Sequence, residues 1–483
     1  MQYPAITADH YDIGYITIDV FPDEVLLEIF AFCLYKRGNE EIWQTLVHVC
    51  RRWRSIVFGS PLSLNLRIIC TDETFNEVLD IWPAFPIIVL MNDFNNGDLE
   101  DNLLAAFKHR DRIGEIHVEN VSDGGLDELP LVMEDPFPAL TVLDIRSTIY
   151  LGSEEPEPFL PDSFLGGSAP SLRSLYLQAI GYRALPKLLS SAPGLVRLHL
   201  VDIPDWCIPP EEMVDSLSSL TRLEQLDIRY RGPRSDRASR RLPPLARTRT
   251  VLPVLASLVF SGVGEYFDYL FARTHFPLLK DVNIMFRHPV IFDVSQRSQF
   301  IGHTEAFDQA HMRFNDDLVE VTLSSLKGAT DGTSLKLTIR CRDSVWQLQF
   351  LGLSRPLLLP FVNFNYVDSA AWGDGSGRLW AGNVETRWRT VFQLFTAVEN
   401  LYLSEGLAEY VIFALQEHAA EQGVVTEVLP ALQNIFIESL ESFKSGLVQG
   451  AIGKFVAARE LSGRPVTVQP WSSKRGVGKS TVG

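Results

Sequence analysis

Two hydrophobic periods divide the chain. Between Asp19 and Pro61 the apolar residues recur in steps of three and four, the spacing that gathers side chains on one face of a helix. Pro22, Val25, Leu26, Ile29, Phe30 and Cys33 form one such stripe. Pro22 fits a first helical turn, and Asp23 and Glu24 fit the positive end of a helix dipole, so a helix is predicted to begin there. Trp43, Leu46, Val47, Cys50, Trp53 and Val57 form a second stripe, interspersed with Arg51, Arg52 and Arg54 and stopped at Gly59, Ser60 and Pro61. A piece of about 50 residues is close to the lower limit for a self-sufficient core. Part of this apolar surface is therefore expected to be covered, by a partner or by the domain that follows.

Beyond residue 67 the period changes. The phrase L-x-x-L-x-[LI] recurs with first leucines at Leu140, Leu172, Leu195 and Leu223, less exactly at Leu255, and in weaker copies beginning at Leu279, Val398 and Leu432. Its last three positions alternate apolar, variable, apolar, as a short strand with one buried face requires. The stretches between copies, such as 182–190 and 211–220, suit helices. Spacings of 32, 23, 28, 32 and 24 residues between the first six leading leucines bracket the period of a leucine-rich repeat. The asparagine that usually follows each repeat strand is replaced by Thr148, Ile180 and Ile203, so no asparagine ladder is expected. The phrase disappears over 285–397, where 335–341 and 345–351 look strand-like and Gly373 to Gly377 look like a turn. Amphipathic helices at 409–421 and 447–459 are expected to cap the array.

Composition changes this picture little. With 46% apolar residues among 483 the chain can bury a sizeable interior. A net charge of −17 opposes association with nucleic acid or an anionic membrane, and neither is an expected partner. No apolar run reaches the length of a bilayer span, and the first residues lack the basic start and apolar stretch of a secretory signal. An intracellular location, cytoplasmic or nuclear, is expected. Five widely spaced cysteines without a C-x-x-C pair read as reduced, buried thiols.

Candidate chemistry is sparse. Gly476 to Thr481 resembles the second half of a phosphate-binding loop, but the first glycine of that motif would fall at Ser473 and too little chain follows to orient a phosphate. Gly373 to Gly377 does not match G-x-S-x-G, and the ten histidines form no H-E-x-x-H pair. Neither a catalytic residue, a metal site nor a cofactor is expected.

The order of residue types from Phe21 to Phe30, followed by Val47, Cys50, Arg51 and Trp53, resembles an F-box. Phe21 replaces the usual leucine, the connection at 35–45 is longer, and the usual terminal Leu-Trp gives way to Leu62 to Leu66. With the degenerate repeats and a closing phrase from Glu427 to Gln433, the chain is similar to a large group of fungal F-box proteins. The resemblance implies an α/β fold: a small all-α F-box module followed by an irregular leucine-rich-repeat-like α/β solenoid. Boundaries would be a tail at 1–15, the F-box at 16–67, the repeat domain at 68–470 and a tail at 471–483. It also implies docking to a Skp-type adaptor, and through it a cullin-RING ligase. Contacts would come from Phe21, Pro22, Val25, Leu26, Ile29 and Phe30, with Val47, Cys50, Arg51 and Trp53 supporting or completing them. Two roles stay open, a substrate receptor for ubiquitination and a scaffold that binds the adaptor without directing ubiquitin transfer.

In either role the variable strand positions would form the target surface. They include Arg146, Tyr176, Arg197, His199 and Arg229, together with Asp144, Gln178 and Asp227. A basic stretch from Arg229 to Arg249 carries Arg237, Arg240 and Arg241, with Asp236 its only acid. Guanidinium groups bind phosphate in bidentate fashion, so a phosphorylated protein target is an expectation for that loop.

Overall fold

The proline, the two acids and the apolar stripe after Phe21 do begin a helix, α1 (Asp23–Arg37). The second stripe is divided between two helices, α2 (Ile42–Val49) and α3 (Arg51–Gly59), where periodicity alone predicts one. The break lies at Cys50. Its backbone is extended (φ −157°, ψ 170°), and its thiol accepts a hydrogen bond from the Trp53 N–H at 3.4 Å, capping α3. A half-helical spacing carries through the cap, which is why the stripe reads as continuous.

The computed structural model describes residues 18–37, 42–61, 63–70, 75, 79, 84–92, 97–121, 133–147, 159–204, 207–231, 250–286, 309–315, 318–324, 334–340, 363–368, 389, 392, 398–403, 408, 411–412, 414–415, 428–438 and 446–471. They form a mixed α/β protein with a large, mostly parallel sheet and eight α-helices among the described residues. Two compact units divide it, Met1–His117 and Val118–Gly483.

The first unit holds the three helices and extends well past them. Strand β1 (Ile68–Ile69) pairs parallel with β2 (Ile87–Asn92), and α4 (Gly97–Lys108) leads into β3 (Ile113–Val121), which crosses the boundary between the units. Leu26, Phe30, Trp43, Val47, Ile56 and Val57 close the interior of the helical part. Trp43, Phe58 and Phe85 pack ring against ring at centroid distances of 5.6–6.4 Å, joining the helices to the segment before β2. The helices are thus continuous in packing with the first strands.

In the second unit each copy of the repeated phrase becomes a strand. The copies form β4 (Val142–Ser147), β6 (Ser174–Gln178), β8 (Arg197–Ile203), β9 (Gln225–Tyr230), β11 (Ser257–Gly262), β13 (Asp281–Phe286), β18 (Asn400–Leu403) and β19 (Asn434–Glu438). Short strands β5 (Phe159–Leu160) with β7 (Gly181–Tyr182), and β10 (Thr250–Val251) with β12 (Thr274–His275), make two small separate pairs. Parallel pairing runs β4-β6-β8-β9-β11-β13 and keeps one register at the leucines, the β8–β9 pairing shifting only beyond Leu200, so Leu143, Leu175, Leu198, Leu226 and Leu258 form a column, each at most 1% exposed. Burying each leucine contributes roughly 1.5–3 kcal/mol before ordering costs. Helices α5 (Leu185–Ser190), α6 (Pro210–Leu217) and α7 (Gly264–Arg273) occupy intervening stretches, with α6 packed beside both of the others. Aromatic rings fill the space at α7: Phe260, Phe267 and Tyr266 meet Tyr230 and Phe286.

The expected absence of asparagines has a clear packing consequence. Ile180 and Ile203 are buried at the turn positions where the side-chain amides would stand. Backbone turns do the work instead, with Ala179 (φ 59°) and Asp202 (φ 50°) in left-handed conformation and the Ala179 N–H donating to the Val201 carbonyl at 2.9 Å.

Within 285–397 the described residues add β14 (Gln309–Asn315), β15 (Leu318–Ser324), β16 (Ser334–Arg340) and β17 (Asn363–Asp368). Strands β14, β15 and β16 form an antiparallel meander, with β16 parallel to β13 on one side and β14 parallel to β17 on the other. The array then continues through β18 and β19 to β20 (Thr467–Trp471), a strand that carries no copy of the phrase. The strand-like piece 345–351, Gly373 to Gly377 and the tail from Gly476 to Thr481 lie outside the described residues. The 409–421 helix is described only at 411–412 and 414–415, which are helical and buried.

Helix α8 (Gly446–Leu461) brings a fully buried arginine to the closing phrase. Arg459 donates through Nη2 to the carbonyl oxygens of Leu429, Pro430 and Leu432 at 3.1–3.3 Å, just before β19. Hydrogen bonds from a charged donor contribute about 1.5–3 kcal/mol when buried, and here one guanidinium nitrogen gathers three carbonyl oxygens. Arg459→Ala should therefore accelerate amide hydrogen exchange in Asn434–Glu438 and Gly446–Leu461; wild-type exchange in that variant would show that Arg459 does not clamp the two segments. A second expectation concerns alkali. Burial raises the Tyr182 phenol to about 12, with Asp162 adding to the effect, while an unfolded tyrosine ionises near 10. The folded state thus holds its proton longer, and this stabilisation is complete below pH 10 and lost as pH rises toward 12. Tyr182→Phe should make the alkaline fall in melting temperature between pH 10 and 12 shallower, even though the phenol's 3.4 Å bond to the Phe164 carbonyl is lost.

Candidate functional site

Two surfaces carry the residues singled out in the sequence. On the helical module, the three-four stripe splits by depth. Leu26 (0% exposed), Phe30 and Val47 point inward and Ile29 is half-buried, whereas Phe21, Pro22, Val25, Cys50 and Arg51 are exposed. Trp53 is half-buried against Phe30, with ring centroids 4.7 Å apart. The face available to a partner is consequently only part of the stripe, and Leu26, Phe30 and Val47 can act on it only by holding the helices in place. Periodicity reports which residues share a face and cannot rank them by depth.

The exposed apolar surface instead includes Ile18, Val20 (71% exposed), Phe32 (61%) and Val49, none of them among the residues the family pattern selects. Phe32 follows Ile29 by three residues and Val25 by seven, so it borders the α1 stripe on its Val25 side, a signal that was available in the sequence. Arg52 also has a role that its position between two stripe residues does not announce. Its guanidinium donates to Asp23 Oδ1 at 2.7 and 2.9 Å and to the Phe21 carbonyl at 2.6 Å, tying α3 to the start of α1. Arg54 Nε donates to the Val47 carbonyl at 3.0 Å across the Cys50 break. These bonds fix where Phe21 and Val25 stand.

The second surface is on the sheet. Register places Asp144 beside Tyr176, Tyr176 beside His199, and His199 beside Asp227, one from each of β4, β6, β8 and β9. Arg146 and Arg229 follow two residues after the outer acids on the same face. Each arginine binds the acid of its own strand in bidentate fashion: Arg146 to Asp144 and Arg229 to Asp227, both at 2.7 and 2.9 Å. The Arg146 guanidinium also reaches Glu119 at 3.2 Å and lies 4.6 Å from the Tyr176 ring centre. Tyr176 donates to Gln178 at 3.2 Å and packs against His199 at 5.7 Å, and His199 Nδ1 lies 3.8 Å from Asp227.

This strip is a connected row of charge and aromatic surface. The hydrogen bond with Asp144 raises the Arg146 guanidinium above its ordinary range, and burial raises the Tyr176 phenol with Arg146 opposing. Arg146 therefore presents a fixed cation and Tyr176 a neutral hydroxyl. Arg197 is exposed two residues before His199 on the same face. Glu119 joins from β3, where no copy of the phrase pointed to it. Arg237, Arg240 and Arg241 lie outside the described residues. No group of three or more potential metal ligands occurs among the described residues. No helix among them is long and apolar enough to cross a membrane.

Neither a scan against protein-family models nor a search of curated proteins finds a match. The chemistry of the two surfaces accordingly rests on their own geometry. Arg146 is more than a third exposed, so solvent screens its pair with Asp144, and such a pair typically contributes about 1 kcal/mol or less to folding. A double-mutant cycle on Asp144→Ala and Arg146→Ala should return a coupling of that size in urea unfolding. A coupling above about 3 kcal/mol would make the pair a structural element rather than a displayed one.

Proposed function

We propose that the chain is the substrate-recognition subunit of a Skp-cullin-F-box ubiquitin ligase, its helical module acting as the F-box and its strand array as an irregular leucine-rich-repeat solenoid. The observation that carries the reading is the exposure of Val20, Phe21, Val25, Phe32 and Val49 on helices whose interior is already closed by Leu26, Phe30, Val47 and Val57. The same segment holds the residue order that resembles an F-box. Apolar side chains that the module's own core does not require are what a docking partner buries. Covering four or five of them at roughly 1.5–3 kcal/mol for each fully exposed side chain gives a gross gain of several kcal/mol, enough to sustain a complex after association costs.

On this reading Arg52 sets the angle at which Phe21 and Pro22 meet the adaptor, and the strip from Arg146 to Arg229 receives a protein target. Aromatic side chains and arginines are the residues that supply most binding energy in protein interfaces, and here two arginines flank Tyr176 and His199. The basic stretch with Arg237, Arg240 and Arg241 follows directly after the last strand of that strip and would add phosphate recognition. Ubiquitin transfer itself occurs on other subunits; this chain supplies position.

Purified Skp-type adaptor should be captured by the wild-type chain in a pulldown and lost by Val20→Asp/Val25→Asp, because both positions are exposed and the folded helices survive the change. Circular dichroism separates that loss from unfolding. Leu26→Asp should lose capture together with helical signal, since it places a charge in the interior. Undiminished capture by Val20→Asp/Val25→Asp would overturn the proposed docking surface.

A further inference from the structure

We propose that a groove along the turns preceding β4, β6, β8 and β9 binds an extended peptide segment bearing two anionic side chains about three residues apart. The leading leucines of the four copies, Leu140, Leu172, Leu195 and Leu223, are fully buried, so the residues on either side of each one face outward. Across adjacent strands those flanking residues enclose a groove of about 630 Å³, lined by Thr141, Ser171, Arg173, Gly194, Thr221 and Arg222 among others. That volume lies within the range of ligand-binding clefts. Gly194 keeps its middle open: a methyl group there would meet only the Leu172 carbonyl, at 3.9 Å.

The two arginines decide the ligand. Arg146 and Arg229 on the sheet face are each held by an aspartate, but Arg173 and Arg222 are exposed and make no side-chain hydrogen bond or ion pair among the described residues. No acid among the described residues lines the groove; Glu224, one residue before β9, lies outside it. Two unpaired guanidinium groups thus share one concavity in a chain of net charge −17. Arg173 directly precedes β6 and Arg222 stands three residues before β9, with β8 between them, so their backbones lie at least two strand spacings, about 10 Å, apart. A polyproline-type segment rises about 3.1 Å per residue with three residues per turn, so its positions i and i+3 lie on one side about 9 Å apart. Carboxylate or phosphate groups at those positions match the two guanidiniums, and bidentate geometry favours either. Nucleic acid fits less well: the chain is strongly acidic and no aromatic side chain lines the groove to stack on a base.

The test is fluorescence anisotropy with the full chain and three labelled proline-rich peptides that carry Glu, phosphoserine or Gln at positions i and i+3. One or both anionic peptides should bind saturably, and the Gln peptide at least tenfold more weakly; the difference between Glu and phosphoserine identifies the source of charge. Arg173→Gln/Arg222→Gln should weaken anionic binding at least tenfold while leaving the melting curve unchanged, whereas Arg183→Ala, an exposed arginine outside the groove, should not. Absence of saturable binding by both anionic peptides, equal binding of the Gln peptide, or full binding by the double variant would each overturn the proposal. None of these outcomes involves the adaptor, so they leave the docking surface on the helices to its own experiment.

Discussion

The parallel register of β4, β6, β8, β9, β11 and β13 governs everything else in the larger unit. A strand shows alternate side chains to opposite faces, so a slip of one residue at the leucine column would exchange it for the row of Asp144, Tyr176, His199 and Asp227. The same pairing therefore creates the core and assembles the polar strip. It also stacks the turns that lead into the strands, bringing Arg173 and Arg222 to one groove although they are far apart in sequence. Surface chemistry in this unit is a by-product of burial.

The strands were legible because every copy of the phrase encodes both of its faces. Leu175 and Leu177 had to be covered, and Tyr176 between them had to face away. The helices between copies were legible for the same reason. Three things were not. The end of α2 at Cys50 is invisible to periodicity, since an extended cap inserted between two short helices leaves three-four spacing almost unchanged. Depth within a stripe was invisible too, which is why Leu26 and Val25 look equivalent in sequence and differ completely in exposure. Last, long-range partners such as Arg52 with Asp23, or Arg459 with the Leu429, Pro430 and Leu432 carbonyls, have no local pattern. An arginine on a helix reads as solvated until the fold shows what it touches.

The candidate surfaces differ in how they handle charge and apolar area. On the helices, apolar side chains are left outside while hydrogen bonds from Arg52 fix the backbone around them. On the sheet, acids hold the arginines in set directions beside Tyr176. In the turn groove the arginines are left unpaired. The first arrangement suits a permanent apolar partner, the second a partner matched in shape and polarity, and the third a charged one. Such a division of labour would let one chain engage different partners at once without competition for the same atoms.

The antiparallel meander between β13 and β17 carries an evolutionary consequence. Strands β16, β15 and β14 reverse the chain direction twice, and two reversals cancel, so β17 again runs parallel with the strands before the interruption. A single antiparallel strand inserted there would have left the strand that follows opposed in direction either to it or to β13. Growth by hairpins is therefore a permitted way to lengthen an array of this kind, because it conserves polarity while releasing the inserted strands from the leucine phrase. Sequence in such an insert is freed from the phrase but still answers to burial, since Val321 on β15 and Thr338 on β16 are buried.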